Sequence, residues 1–351
     1  MRIAINGYGR VGRCVLRAFF ERQQSSSEQV AGLSVVAINE IADAEQIAYL
    51  TRYDSTHGRF PAKVSCQATA DATLLCINDT AIDLLQQPDI ACLPWQTSAI
   101  DLVMECTGAV TTITQAQQHI NSGAQRVLLS NPGEGDIPAL VYGVNHQQDY
   151  NNETVISAAS CTSNALIPVL SVLNSAFGVA NGVVTTIHAS MHDQPVIDAY
   201  HSQDLRRNRA ASQSIIPVDT LLAQGIDRVL PELSGKFVAH ALRVPVNNVS
   251  ALNVTVNLKR STSIEQLNDC LKAASQQGLV GVLGYTEELL ASCDFNHDSR
   301  SGIIDGTQTR VSAGTTANVL IWFDNEWAFA NRMLDLAQFI SENGECKRSK
   351  I

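Results

Sequence analysis

The sequence predicts an α/β chain in which a doubly wound, mainly parallel sheet over residues 1–160 is followed by an α+β domain over 161–324 with a mainly antiparallel sheet. Three observations predict it. Apolar strand-like runs alternate with amphipathic helical stretches through the first half of the chain. Longer β-rich runs with fewer helices between them follow in the second half. The 351 residues suffice for roughly two domains.

Strands are expected at 2–6, 33–38, 101–105, 126–130 and 154–159, with helices at 10–22, 43–52 and 111–122 between them. The Gln23-Gln24-Ser25-Ser26-Ser27 patch reads as a loop between the first helix and the next strand. Later, 183–189, 239–246 and 251–258 read as strands. A strand at 318–323 leads to a last helix over about 325–341, which ends near Asn343-Gly344 and is expected to complete the first domain.

Composition narrows the function. The chain is 45% hydrophobic and 17% charged, with 24 basic against 34 acidic residues and a net charge of −10. That balance disfavours broad attraction to nucleic acid or to anionic membranes, so neither is expected as a partner. An anionic small substrate needs a local cationic pocket, and the densest basic run is Asp204-Leu205-Arg206-Arg207-Asn208-Arg209. Nine scattered cysteines without a CxxC pair argue against a disulfide framework or a zinc site, and no metal is expected. A reducing compartment, a strand starting at residue 2 where a secretory signal would lie, and the lack of a long apolar run together predict a cytoplasmic protein.

The run Ile5-Asn6-Gly7-Tyr8-Gly9-Arg10-Val11-Gly12 places a GxGxxG pattern between a strand and a helix, the context of a Rossmann dinucleotide site. Gly7 permits the tight turn, Gly9 lets backbone approach a pyrophosphate, and Gly12 allows close helix packing. Asn39 and Glu40 end the next strand. Glu40 follows Gly12 by 28 residues against an expected interval of about 20, and the Gln/Ser-rich patch accounts for the excess. A carboxylate there accepts from ribose hydroxyls and repels a 2′-phosphate, which points to NAD over NADP.

The segment Ser157-Ala158-Ala159-Ser160-Cys161-Thr162-Ser163-Asn164 ends a strand, and Leu166, Val169, Leu170, Leu173 and Phe177 follow at helical spacing. Cys161 then lies at a helix N-terminus, whose partial positive charge favours a thiolate. Pro168 opposes the helix, since an interior proline costs a backbone hydrogen bond. His188 closes a strand 27 residues further on. If the two meet, they form a nucleophile and its base; a small buried cysteine and a structural histidine are the plainer alternative.

Ten segments, INGYGRVGR, VVAINE, RYDSTHGRF, ECTG, SAASCTSN, TTIHASMHDQ, DLRRNRAA, SIIP, RVP and DNEW, together resemble the glyceraldehyde-3-phosphate dehydrogenase family, in family order over essentially the whole length. MHDQPVIDAYH, AASQSIIPVDT, FNHD and DGTQTRVS look most like its erythrose-4-phosphate dehydrogenase branch. The resemblance implies that Cys161 is the nucleophile and His188 its base. It implies that Gly7, Gly9, Arg10, Val11, Gly12, Asn39, Glu40, Thr107, Ser130 and Asn325 line an NAD site, and that Ser160, Thr162, Asp193, Arg207, Thr220 and Arg243 handle substrate and phosphate. A homotetramer, with 191–209 near a neighbouring subunit's cofactor, is implied only by that resemblance.

Departures from the family pattern are informative. Met191 stands where the glyceraldehyde enzymes carry a Thr, and Leu221 where they have a Gly beside a phosphate-contacting Thr. A Met side chain offers phosphate no donor and Leu adds bulk. Ser163 keeps a hydroxyl, and Phe329 loses one relative to the usual Tyr. The resemblance implies NAD-dependent oxidation of erythrose 4-phosphate to 4-phosphoerythronate through a Cys161 thioester, on the way to pyridoxal phosphate, and the Met191 and Leu221 departures point to water rather than phosphate for release of the thioester. The alternatives are a phosphorylating glyceraldehyde-3-phosphate dehydrogenase and a non-catalytic NAD-binding regulatory paralogue.

Overall fold

The computed structural model of the protein describes the chain except for residues 71, 149, 151, 201 and 344–351 and the side chain of Ser27. The chain divides into two compact units. Of the described residues, those within 1–140, 146–160 and 330–343 form the first, and those within 141–145 and 161–329 form the second.

In the first unit β1 (Arg2–Asn6), α1 (Arg10–Ser25), β2 (Ser34–Asn39) and α2 (Ala44–Arg52) follow one another. A small ribbon of β3 (Tyr53–Asp54) and β4 (Gly58–Arg59) precedes β5 (Val64–Ala68), β6 (Thr73–Ile77) and β7 (Thr80–Leu85). Then come β8 (Leu102–Glu105), α3 (Ile113–Asn121), β9 (Arg126–Leu129) and β10 (Val155–Ser157). The sheet order is β10-β9-β8-β1-β2-β7-β6-β5. It is parallel from β10 to β7, and β6 and β5 add an antiparallel margin. All four residues of β8 and the last four of β1 are buried, the unbroken burial expected of strands covered on both faces. Because β2 lies on one side of β1 and β8 on the other, the strand order reverses at β1, the switch point at whose carboxyl ends doubly wound sheets bind ligands.

Three sequence expectations shift here. The first helix does not stop at 22: α1 runs to Ser25, whose hydroxyl bonds back to the Glu21 carbonyl at 3.0 Å, so part of the Gln/Ser patch continues the helix before a 3₁₀ turn at Ser27–Val30. The strand expected over 154–159 ends at Ser157, and Ala159 takes a left-handed φ of +59°. The last helix, α7 (Trp327–Asn343), starts two residues later than expected, and Gly344 lies outside the described residues. Arg22 of α1 holds α7 through Asn331 Oδ1 at 2.8 Å and Asp335 Oδ1 at 2.7 Å.

The second unit contains α4 (Cys161–Phe177), β11 (Val179–Ala189), β12 (Ile216–Val218), α5 (Leu222–Val229), β13 (Phe237–Val244), β14 (Ser250–Leu258), α6 (Ile264–Gln276), β15 (Leu283–Thr286), β16 (Gly302–Ser312) and β17 (Thr316–Phe323). Its sheet order is β12-β13-β11-β14-β17-β16-β15, antiparallel except for β13 on β11 and β15 on β16. Pro168 does not break α4. Ser163 to Leu170 and Leu173 are buried, so tertiary packing around nearly the whole helix offsets the missing N–H. No helix among the described residues is long and apolar enough to cross a membrane, and the described cysteines are free thiols.

Candidate active site

Gly7 leaves β1 with φ +85°, and a Cβ there would lie 2.6 Å from the Thr107 nitrogen. A Cβ at Gly12, in the first turn of α1, would stand 2.2 Å from the Gly7 carbonyl oxygen. Neither site admits a side chain, because the obstruction is backbone. Gly9 differs: a Cβ there meets nothing within 4 Å, and as the N-cap of α1 it supplies no side-chain hydrogen bond. The helix start therefore faces open space with N–H donors to offer, the cradle a pyrophosphate needs. Arg10 and Val11 are half-buried in the first turn; the Arg10 guanidinium pairs with Asp54, so the side chain has a protein partner besides any coenzyme.

Glu40 sits at the carboxyl end of β2. Its Oε2 accepts from the Tyr8 N–H at 2.8 Å, and its Oε1 from the Ile41 N–H at 2.9 Å, which pins the carboxylate beside the glycine loop. Asn39 is turned inward: its Nδ2 donates to Asn6 Oδ1 at 2.8 Å and its Oδ1 accepts from the Gln87 N–H at 2.9 Å. Ser130 follows β9 and donates its N–H to the Glu105 carbonyl at 2.9 Å. Thr107 is exposed at the end of β8, and both its N–H, at 2.8 Å, and its hydroxyl bond to Glu105 Oε1.

Glu105 is the residue that sequence reasoning passed over. Fully buried, it also accepts from Asn6 Nδ2 at 2.6 Å and pairs through Oε2 with His119 Nε2 at 2.9 Å. Trp95 Nε1–H donates to His119 Nδ1 at 2.9 Å, which assigns the ring hydrogen to Nε2 and makes His119 a donor to Glu105. Its hints in the sequence are its place at the end of the apolar run Leu102-Val103-Met104 and at the head of the ECTG segment, neither of which assigns it a role.

In the second unit the sulfur of Cys161 opens α4, and Cys161 Sγ lies 3.7 Å from His188 Nε2. The residues meet because β11 delivers His188 to its carboxyl end, buried, with Phe323 edge-on at 6.2 Å between ring centres. His188 is opposite Arg243 in the parallel β11/β13 register. Arg243 Nη1 lies 2.9 Å from His188 Nδ1 and 3.3 Å from the Ala189 carbonyl, while that carbonyl is 2.8 Å from the same Nδ1.

Burial dominates the electrostatics. It pushes the Cys161 thiol up to about 11, against the Thr162 N–H and hydroxyl and the Arg243 charge, which favour the thiolate. It pulls the His188 imidazole down to about 4, with Arg243 acting in the same direction and the Ala189 carbonyl, Asp193 and Glu326 opposing it. Burial thus opposes the charged form of each partner, while the Thr162 donors and the Arg243 charge favour the thiolate and Asp193 and Glu326 favour the imidazolium.

Ser160 precedes Cys161 as the last residue of the first unit's 146–160 segment. Around the pair, Asp193 Oδ2 and Arg207 Nη1 are 3.3 Å apart, and Asp193 Oδ1 is buried without a hydrogen-bond partner. The Thr220 hydroxyl oxygen accepts from the Leu222 N–H at 3.2 Å at the start of α5. Met191 and Leu221 are 38% and 65% exposed, so both apolar side chains present themselves to solvent. Asn325 accepts through Oδ1 from Ser250 Oγ at 2.8 Å, and the same hydroxyl accepts from the Ala189 N–H at 3.0 Å. Ser250, a serine in an otherwise ordinary strand, gave no sequence signal.

Residues 1–113 match the glyceraldehyde 3-phosphate dehydrogenase NAD binding domain, and residues 160–325 match the C-terminal domain of the same family. The first match spans the glycine loop, Glu40 and Thr107; the second spans Cys161, His188, Asp193, Arg207, Thr220, Arg243 and Asn325. With an open helix start that fits a dinucleotide phosphate and a cysteine set against a histidine, the chain belongs to the glyceraldehyde-3-phosphate dehydrogenase family and is an NAD-dependent dehydrogenase.

Proposed function

We propose that the protein oxidises D-erythrose 4-phosphate to 4-phosphoerythronate, through a thiohemiacetal and then a thioester on Cys161 that water resolves. The observation that carries this reading is the approach of Cys161 Sγ to within 3.7 Å of His188 Nε2. An aldehyde does not release hydride until a nucleophile has added to it. His188 takes the thiol proton at Nε2 and the sulfur adds to the aldehyde carbon. The Cys161 N–H and the protonated imidazole then meet the oxyanion. Bound NAD supplies the hydride acceptor. Once hydride has left the carbon the oxyanion collapses to a thioester, and His188 gives its proton to solvent; the neutral imidazole then takes a proton from water at Nε2 while the hydroxide adds and the thiolate leaves, to be reprotonated by the imidazolium.

Hydrolysis rather than phosphorolysis is supported by Met191 and Leu221, since neither side chain offers an attacking phosphate a hydrogen bond. The substrate's own phosphate falls to Arg207, Arg243, Thr220 and Thr162, with Asp193 orienting Arg207. Ser160 and Asn325 complete the proposed set, Asn325 toward the coenzyme. Exposed Val196, Ile197, Leu205 and Ile215 within the segment after His188 support self-association, which we propose as a homotetramer in the cytoplasm. The product acid suits supply of pyridoxal phosphate.

Steady-state NADH formation with and without inorganic phosphate tests the chemistry. Equal rates with release of free acid are expected, and strict dependence on added phosphate contradicts hydrolysis. Comparison of kcat/KM on erythrose 4-phosphate and glyceraldehyde 3-phosphate tests the substrate. One carbon is worth about 1 to 3 kcal/mol in a pocket, so a preference of tenfold or more for the four-carbon sugar is expected. A preference for the three-carbon sugar contradicts the assignment.

A further inference from the structure

Three strands of the first unit end side by side, tied by buried side chains that take part in no step of the proposed chemistry. Asn6 ends β1, Asn39 ends β2 and Glu105 ends β8, and they lead into Gly7, Glu40 and Thr107 in turn. Backbone bonds interlock these ends, from the Gly7 N–H to the Asn39 carbonyl at 2.9 Å and from the Cys106 N–H to the Asn6 carbonyl at 2.7 Å. Glu105 receives four hydrogens at their centre. Its Oε2 accepts from Asn6 Nδ2 at 2.6 Å and from His119 Nε2 at 2.9 Å, and its Oε1 from the Thr107 N–H at 2.8 Å and from the Thr107 hydroxyl. A carboxylate meets all four because it only accepts, through about two lone pairs on each oxygen. None of the donors is free to turn. Trp95 leaves the His119 hydrogen on Nε2, Asn39 Nδ2 occupies Asn6 Oδ1 and so points Asn6 Nδ2 at Glu105, and the Gln87 N–H fixes Asn39 in the same way. The Thr107 hydroxyl oxygen also accepts from the Ala109 N–H at 3.1 Å, so both Thr107 donors face inward, and its Cγ2, 2.7 Å from where a Gly7 Cβ would stand, borders the glycine loop.

We propose that Glu105 is a positioning residue for NAD, a buried clamp whose carboxylate holds the glycine loop, Glu40 and Thr107 at one fixed spacing before the coenzyme arrives. It acts through its partners: Asn6 passes the hold to Asn39 and so to the turn at Glu40, while Thr107 is held directly. Fixing these ends in advance removes the cost of ordering them on binding, which strengthens the affinity. The four donors specify Glu at this position. Gln has the same shape but turns an NH2 toward two donors, Asp is one methylene short, and an apolar side chain leaves every donor unmet in the core. The inference rests on the glycine loop being the seat of the coenzyme, and not on which aldehyde is oxidised or on how the thioester is released.

The test is the dissociation constant for NAD, read by titration calorimetry on the full-length protein with no aldehyde present, beside the urea midpoint of each variant. Glu105→Gln should bind NAD about tenfold or more weakly. Adding Asn6→Asp gives the glutamine NH2 an acceptor and restores the net charge, so the double variant should bind about threefold or more tighter than Glu105→Gln. Arg22→Leu is the control for stability alone: it removes the bonds to Asn331 and Asp335 near the C-terminal end of α1, and should lower the urea midpoint while NAD affinity stays within about twofold of wild type. Unchanged affinity in Glu105→Gln overturns the proposal, as does a double variant that binds no better than Glu105→Gln. Equal weakening in Arg22→Leu overturns it too, because affinity would then follow stability. Should Glu105→Gln not fold, Thr107→Val decides: it removes one of the four hydrogens and should weaken NAD about threefold, and unchanged affinity overturns the clamp. Gly9→Ala keeps this test apart from the reading of the loop. NAD bound weakly by Gly9→Ala and normally by Glu105→Gln overturns the clamp alone, whereas normal binding by both overturns the loop reading as well.

Discussion

Beneath the glycine loop of the first unit, Trp95, His119, Glu105, Asn6 and Asn39 pass hydrogen bonds from one to the next. Around Cys161 in the second unit the polar atoms are contested or unmet: His188 Nδ1 lies between a donor and an acceptor, and Asp193 Oδ1 is buried without a partner. The difference shows what folding alone completes. A dinucleotide platform is made of backbone and satisfied side chains, so it is finished before any ligand binds. Around Cys161 and His188 burial opposes the charged forms of both groups, the environment in which functional sites hold perturbed titrations. Burial pushes the Cys161 thiol up, and the Thr162 donors and the Arg243 charge pull it back toward the thiolate.

The contrast is broken most forcefully by Cys161→Ala. It should lower turnover by about 10⁴-fold or more while leaving NAD affinity within about twofold, because the loop owes nothing to the sulfur. Equal loss of both would join the two regions in one function. Stability against pH should separate them next. His188 is held near 4 in the fold and titrates near 6.5 when unfolded, so below pH 6.5 the unfolded chain takes up a proton that the folded chain refuses. This penalty is absent above pH 6.5, grows as the pH falls, and is complete below pH 4 at about 3 kcal/mol. Urea unfolding of His188→Asn should therefore lose about that much less stability than wild type between pH 7 and pH 4; parallel acid limbs would contradict the buried neutral imidazole.

Two glycines sharpen the account of the platform. Gly12→Ala drives a Cβ into the Gly7 carbonyl and should cost about 2 kcal/mol in denaturant unfolding, together with most of the NAD affinity. Gly9→Ala has free space and a φ of −72°, so its stability should stay within about 0.5 kcal/mol of wild type while NAD binds about tenfold more weakly. If Gly9→Ala binds NAD normally, the open space at α1 is not where the pyrophosphate lies.

Legibility in the sequence followed distance along the chain. The glycine loop, Glu40 and the β1–α1–β2 order were readable because each is set by residues within one supersecondary unit. The antiparallel margin of β6 and β5 was not, since these short strands are only partly buried and carry no long apolar run. The helix at Cys161 was readable from the spacing of Leu166, Leu170 and Leu173, but its tolerance of Pro168 depends on burial that only the tertiary structure supplies. The pairing of Cys161 with His188 needed two elements to converge, and the resemblance rather than the spacing suggested it. Arg243 could be assigned to phosphate from its motif. Its place against His188 Nδ1 comes from the register of β11 on β13, strands 55 residues apart at the point of contact, and no local pattern encodes that register.

The central claim, that the sulfur of Cys161 carries the acyl group, is tested most directly by rapid quench of the wild-type protein within its first turnover, before water has resolved the thioester. Protein mixed with NAD and erythrose 4-phosphate, quenched in acid and digested, should yield a Cys161 peptide heavier by the mass of the phosphoerythronyl group, with one NADH formed per adduct. NADH produced while the Cys161 peptide keeps its unmodified mass, or an adduct on any other residue, would contradict the account.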